Sequence, residues 1–71
     1  MMKSGTVKWF SKERGYGFLA ADEGGEIFVH QRDILMEGFR FLEIGQRVRY
    51  WMGEKDNRIK AINVSLINNE T

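Results

Sequence analysis

The stretch Lys8-Trp9-Phe10-Ser11-Lys12-Glu13-Arg14-Gly15-Tyr16-Gly17-Phe18-Leu19 places four aromatic and three basic residues around a turn-like centre. Thr6 to Phe10 alternates as a strand, Ser11 to Gly15 connects, and Tyr16 to Ala21 alternates again. Asp22-Glu23-Gly24-Gly25 follows, and paired glycines accept the positive φ of a tight hairpin. Glu26 to His30 is then a third strand, so that residues 6–30 predict an antiparallel meander.

Further along, Gln31 to Met36 has room for one short helical turn, and Glu37 to Gly45 reads as a longer connection. Gln46 to Met52 alternates, with Val48, Tyr50 and Met52 on one face and Arg47, Arg49 and Trp51 on the other. Gly53 to Asn57 is a polar turn before a fifth strand, Arg58 to Leu66. There the alternation slips, since Ile59 and Ala61 share one parity and Ile62 and Val64 the other, which predicts a bulge. The tail, residues 68–71, is expected to fray. Five short strands with glycine-rich turns and no helical window predict an all-β fold, a small five-stranded antiparallel barrel that is at least partly closed. Closure removes the two sticky edges that a flat sheet would expose.

Bulk composition narrows the class. With 71 residues the chain reads as one domain, 1–71, with its core in about 4–66. No cysteine is present and only one histidine, so neither disulfides nor a structural zinc site is expected. No metal, cofactor or small-molecule substrate is implied, and no nucleophile–base pair suggests an enzyme. No apolar run approaches a membrane span of about 20 residues, and a cytoplasmic location is expected. The net charge of +1 is too small to identify a partner. Its distribution says more: Lys3, Lys8, Lys12 and Arg14 crowd the start, and Asp22, Glu23 and Glu26 form an acidic knot.

Strand parity sorts the aromatic residues. If Val7, Leu19, Ile27, Val29, Val48 and Ile62 fill the single interior, then Tyr16, Phe18, Phe28 and His30 line the outside. Reversing the faces would leave the aliphatic residues in water and bury the histidine. Parity exposes Phe10 and leaves Trp9 undecided, because Trp9 follows Val7 inward unless a bulge intervenes. Gly15 and Gly17 are expected to keep the outer face uncluttered. A contiguous exposed aromatic patch calls for a partner. Rings interleaved with positive charge match unpaired nucleic acid, which offers flat π-faces on an anionic string. A protein-binding role for the same patch is the rival reading.

Gly5-Thr6-Val7-Lys8-Trp9-Phe10, Arg14-Gly15-Tyr16-Gly17-Phe18-Leu19 and Ile27-Phe28-Val29-His30 together resemble the bacterial cold-shock protein family. The similarity continues through Glu37-Gly38-Phe39-Arg40 and Leu42-Glu43-Ile44-Gly45-Gln46-Arg47-Val48 to Ala61-Ile62-Asn63-Val64. Arg14 to Phe18 alone also fits the start of the first ribonucleoprotein motif of RNA-recognition domains. That fold requires two helices which this chain lacks the periodicity to form. The cold-shock resemblance implies an OB-type barrel that binds single-stranded RNA and DNA. By that resemblance the stacking residues are Trp9, Tyr16, Phe18, Phe28, His30 and Phe39, which turns Trp9 outward. Lys8, Lys12, Arg14 and Arg58 would attend phosphates or base edges.

This chain departs from the family pattern at three points. Gln31 stands where the family usually has an aromatic residue, replacing a stacking platform with an amide able to reach a base edge. Arg58-Ile59 replaces the usual glycine-proline, and the sequence pI of about 8.1 is higher than that of many bacterial members. The expected partners are single strands, with pyrimidine runs favoured because they unstack easily. The expected role is that of an RNA chaperone or a regulator of transcription or translation in a stress response. A monomer is expected, with a dimer left open; Phe41 and Trp51 are aromatic residues with no assigned base.

Overall fold

Alternation sets the strands, and neighbouring strands set their ends. A computed structural model describes residues 2–67 and contains strands β1 (Lys3–Ser11), β2 (Tyr16–Ala21), β3 (Glu26–His30), β4 (Arg47–Lys55) and β5 (Arg58–Leu66). A 3₁₀ turn, Gln31–Asp33, takes up the first half of the expected helical segment. The tail 68–71, expected to fray, lies outside the described residues. β2, β3 and β5 span the residues that alternation predicts. β1 begins earlier because Lys3 to Thr6 pair with Tyr50 to Arg47 of β4. β4 ends later because Asp56 and Asn57, at φ 54° and 64°, complete a two-residue turn by themselves.

The strands close into a barrel in the order β1-β2-β3-β5-β4. The sequence predicts antiparallel pairing throughout, and one pair corrects that expectation: β3 and β5 are parallel. An odd number of strands in a closed ring cannot alternate direction all the way round, so one parallel junction is unavoidable. That junction is short, Phe28 opposite Lys60 and Val29 opposite Ala61.

Two bulges reset the parity of the outer surface. In β1, Val7 pairs with Leu19 but Trp9 pairs with Phe18, which leaves Lys8 as the extra residue. Val7 is therefore buried, Trp9 turns to the outer face, and Phe10 packs against the core instead of lying outside. In β5, Ser65 pairs with Arg49 but Ile62 with Trp51, and Asn63 takes up the extra residue at φ 49°. Ala61 and Val64, three apart, both point inward as a result, and Ile62 is half-buried on the outer face rather than in the core.

Val7, Leu19, Ile27, Val29, Val48, Tyr50, Ala61 and Val64 fill the barrel, and Ile34 and Leu42 from the long connection are buried with them. Gly17 is buried, and its role differs from the one expected. A Cβ there would lie 2.2 Å from the Trp9 carbonyl oxygen, so the bare backbone lets β1 approach at its bulge. Across the barrel mouth Arg47 forks onto Asp22, with Nη1 and Nη2 each 2.7 Å from a carboxylate oxygen. Ser4 also donates to Asp22 at 2.9 Å, and together these contacts hold the Asp22 carboxyl at a pKa of about 2. Lys3 pairs with Glu23 and Lys8 with Glu26, which largely neutralises the acidic knot.

Candidate nucleic-acid interface

Outward parity on β1, β2 and β3 brings Trp9, Tyr16, Phe18 and Phe28 into one patch. Trp9 contacts Tyr16 at 5.9 Å and Phe18 at 6.0 Å between ring centroids. Phe28 closes the circuit, 5.7 Å from Tyr16 and 5.8 Å from Phe18. Each ring touches two others at tilted or edge-on angles, an arrangement that holds side chains in place without covering their outer faces. Trp9 keeps 37% of its surface exposed, and the other three are half-buried by one another.

His30 sits beside Tyr16 in the β2–β3 register. Its Nδ1 accepts from the Arg32 backbone N–H at 3.2 Å and so caps the 3₁₀ turn. Burial, followed by the nearby Arg32 charge, lowers the imidazole pKa below 6.5, so the ring is neutral at pH 7. Phe39 stands apart from the four-ring circuit, in the connection between the 3₁₀ turn and β4. It is 62% exposed and lies 5.8 Å from Phe41 at a 30° tilt. The structure thus gathers five of the six predicted stacking residues on one sheet face and puts Phe39 in a separate pair.

The predicted polar residues are distributed around these rings. Lys8 is held by Glu26, an exposed pair that costs little to break. Lys12 Nζ lies 4.5 Å above the Phe41 ring. Arg14 reaches towards the Tyr16 hydroxyl at 3.5 Å, the outer limit of a hydrogen bond. Gln31 lies over Gly15, whose φ of +78° suits glycine and whose Cβ, if present, would meet Gln31 Cδ at 2.8 Å. The amide also lines a small cleft with Arg32, Gly38, Phe39 and Arg40. Gln31 therefore links the rim of the sheet patch to Phe39.

Arg58 opens onto a cleft of about 560 Å³ whose wall includes Phe18 and Phe28. Lys55, Asp56, Ile59 and Lys60 line it too, none of which was assigned from the sequence. The signal was present: Arg58 and Lys60 share strand parity, and the parallel junction that sets Lys60 beside Phe28 was the missing information. Lys60 Nζ is 3.0 Å from Asp33 Oδ2, within charge range but off a hydrogen-bond line, since that oxygen has no aligned donor. Among the described residues no cluster of His, Cys, Asp or Glu is placed to hold a metal ion. No helix there is long and apolar enough to cross a membrane.

Comparison with known proteins bears on the family and the barrel. Residues 3–67 match the family model described as the 'Cold-shock' DNA-binding domain. Cold shock protein 1 of Lactiplantibacillus plantarum is 44% identical over 63 residues, 89% of this chain and 96% of that protein. A cold shock-like protein of Aquifex aeolicus is 47% identical over 64 residues, covering 89% of this chain and 91% of its own. Among solved structures, Drosophila Unr CSD456 matches with a TM-score of 0.81 at 22% identity, over 100% of this chain and 29% of that one. At that identity the likeness concerns the barrel alone.

Proposed function

This chain belongs to the cold-shock family of nucleic-acid-binding domains, and we propose that it holds unpaired RNA and DNA by stacking bases on its outer aromatic face. The observation that carries the reading is the closed circuit of Trp9, Tyr16, Phe18 and Phe28, with centroids 5.7–6.0 Å apart. Rings that brace one another are preorganised, so little ordering cost falls on binding. His30 adds a neutral ring at the Tyr16 end, and Phe39 a platform reached across Gln31. We assign the phosphates of a strand crossing the rings to Arg14, Lys12 and Arg58, joined by Lys8 on release from Glu26.

Stacking is sequence-tolerant because every base has a π-face, and a duplex hides those faces. Capture of open strands shifts a hairpin-to-open equilibrium by mass action without an energy source. That is the physical basis for a chaperone of RNA, or for a regulator of transcription or translation, in the cytoplasm. On this reading residues 1–71 act as one domain.

A titration of the intact chain, followed by anisotropy of labelled oligothymidine or oligouridine, tests it. Single strands are expected to bind, and duplex of the same length to bind at least tenfold more weakly. With about three to five phosphates neutralised, log K should fall by roughly 0.7 per phosphate for each tenfold rise in salt. Equal affinity for duplex would refute base stacking, and no salt dependence would favour a protein partner for the patch.

A further inference from the structure

Trp51 is unassigned by anything above. Val48 and Tyr50 point into the barrel, so Arg49 and Trp51 face outward from β4, where Trp51 keeps 42% of its surface exposed. Its cross-strand partner is Ile62, which leans over Gly53; a Cβ on that glycine would meet Ile62 Cγ2 at 2.8 Å. The pairings connect this surface to the candidate interface. Phe28 lies opposite Lys60, Lys60 opposite Gly53, and Trp51 is the next outward residue of β4 after Gly53. Two strand spacings, about 10 Å, therefore separate the row of Phe28 from that of Trp51.

Charge distinguishes the two ways off the rings. Towards the β2–β3 turn a strand meets Asp22, Glu23 and Glu26, on which the nearby basic residues Arg47, Lys3 and Lys8 are already spent. Over β5 it meets a cleft wall on which Lys55, Arg58 and Lys60 outnumber Asp56, and then Arg49; Asp33 beside it is engaged by Lys60. Among the described residues Arg49 has no carboxylate partner. A tryptophan beside a free arginine, reached by a path that avoids the acidic turn, fits an aromatic base and its phosphate better than it fits an apolar protein surface.

We propose that Trp51, with Arg49, is an additional stacking site for unpaired nucleic acid, reached by strands long enough to cross β5 from Phe28. The inference rests on the function proposed above, and strand length separates the two. The test uses strands of about 4 and about 12 nucleotides of oligothymidine, the short one matched to the smallest site of an OB fold. In a Trp9→Phe chain Trp51 is the sole tryptophan. Its emission should be quenched by the long strand and left unchanged by the short one at saturation. In the otherwise intact chain Trp51→Ala, checked for its fold by circular dichroism, should weaken the long strand by about 5- to 150-fold and the short one by less than about twofold. Unchanged Trp51 emission with the long strand bound would overturn the proposal. So would an equal effect of Trp51→Ala on both lengths, or a Trp51-dependent dimer in sedimentation without nucleic acid. Failure of the intact chain to bind either strand would refute the underlying function, and the inference with it.

Discussion

Replacing Phe18 by alanine removes a ring that is at once a base platform and a brace for its neighbours. Two effects follow, and they are separable. In the free protein the change deletes the contacts with Trp9 at 6.0 Å and with Phe28 at 5.8 Å. At about 0.5–1.5 kcal/mol per ring pair, stability should fall by about 1–3 kcal/mol. A 71-residue chain has roughly 4–11 kcal/mol in hand at typical per-residue values, so the variant should remain folded. In the complex one base–aromatic stack is lost, a further 1–3 kcal/mol or so. Binding of oligothymidine should weaken by about 5- to 150-fold. Anisotropy of a labelled strand is the suitable assay, because Trp9 emission will change simply from losing its neighbour. Urea melts of the free protein measure the first effect independently. A folded Phe18→Ala chain with unaltered affinity would refute stacking at this position, and an equal loss for the conservative Phe18→Tyr would point to disturbed packing instead.

Three other perturbations probe the framework. Asp22 titrates at about 2 when folded, against an ordinary 3.8, so its contribution to stability is complete above about 4 and is lost as pH falls towards 2. Thermal melts of Asp22→Asn should lack that component of the acid transition; an identical acid profile would refute the role of the Arg47 fork. For His30 the folded value lies below 6.5, so the unfolded chain takes up the proton first as pH falls. This group's contribution should be constant above 6.5 and decline below it, and an NMR-detected imidazole pKa at or above 6.5 in the free protein would contradict the burial argument. Gly17→Ala places a methyl 2.2 Å from backbone that cannot move without opening the β1–β2 ladder. It should cost at least about 1–3 kcal/mol in a urea melt, and a neutral effect would show that β1 yields more readily than its bulge suggests.

The meander and the outer position of Tyr16, Phe18, Phe28 and His30 were legible because a strand's two faces are written in alternate residues. What escaped depended on pairing between distant segments. Trp9, which parity left undecided, faces outward and Phe10 turns inward against expectation because Lys8 is an unpaired insertion, and parity counted along one strand carries no record of the partner's register. Ile62 left the core for the same reason at Asn63, although there the slip itself announced a bulge. Lys60 entered the site through the parallel junction, a consequence of strand number that no local pattern encodes. Ile34 and Leu42 lie in a segment without periodicity, and only the closed barrel shows that they are buried.

The bulge in β1 has a consequence for chain length. Residues 5–7 of β1 are registered against Ala21 to Leu19 of β2, and residues 9–11 against Phe18 to Tyr16, with Lys8 between them. One residue of β1 therefore has no counterpart in β2, and Lys8 is the spacer between two stretches of the same ladder. Its side chain points to solvent, so the barrel can accept many residues at this position. Were Lys8 paired like the residues on either side of it, strict alternation would turn Trp9 inward with Val7 and present Phe10 to solvent. The surface that meets a ligand is thereby governed by a count of residues as much as by their kinds.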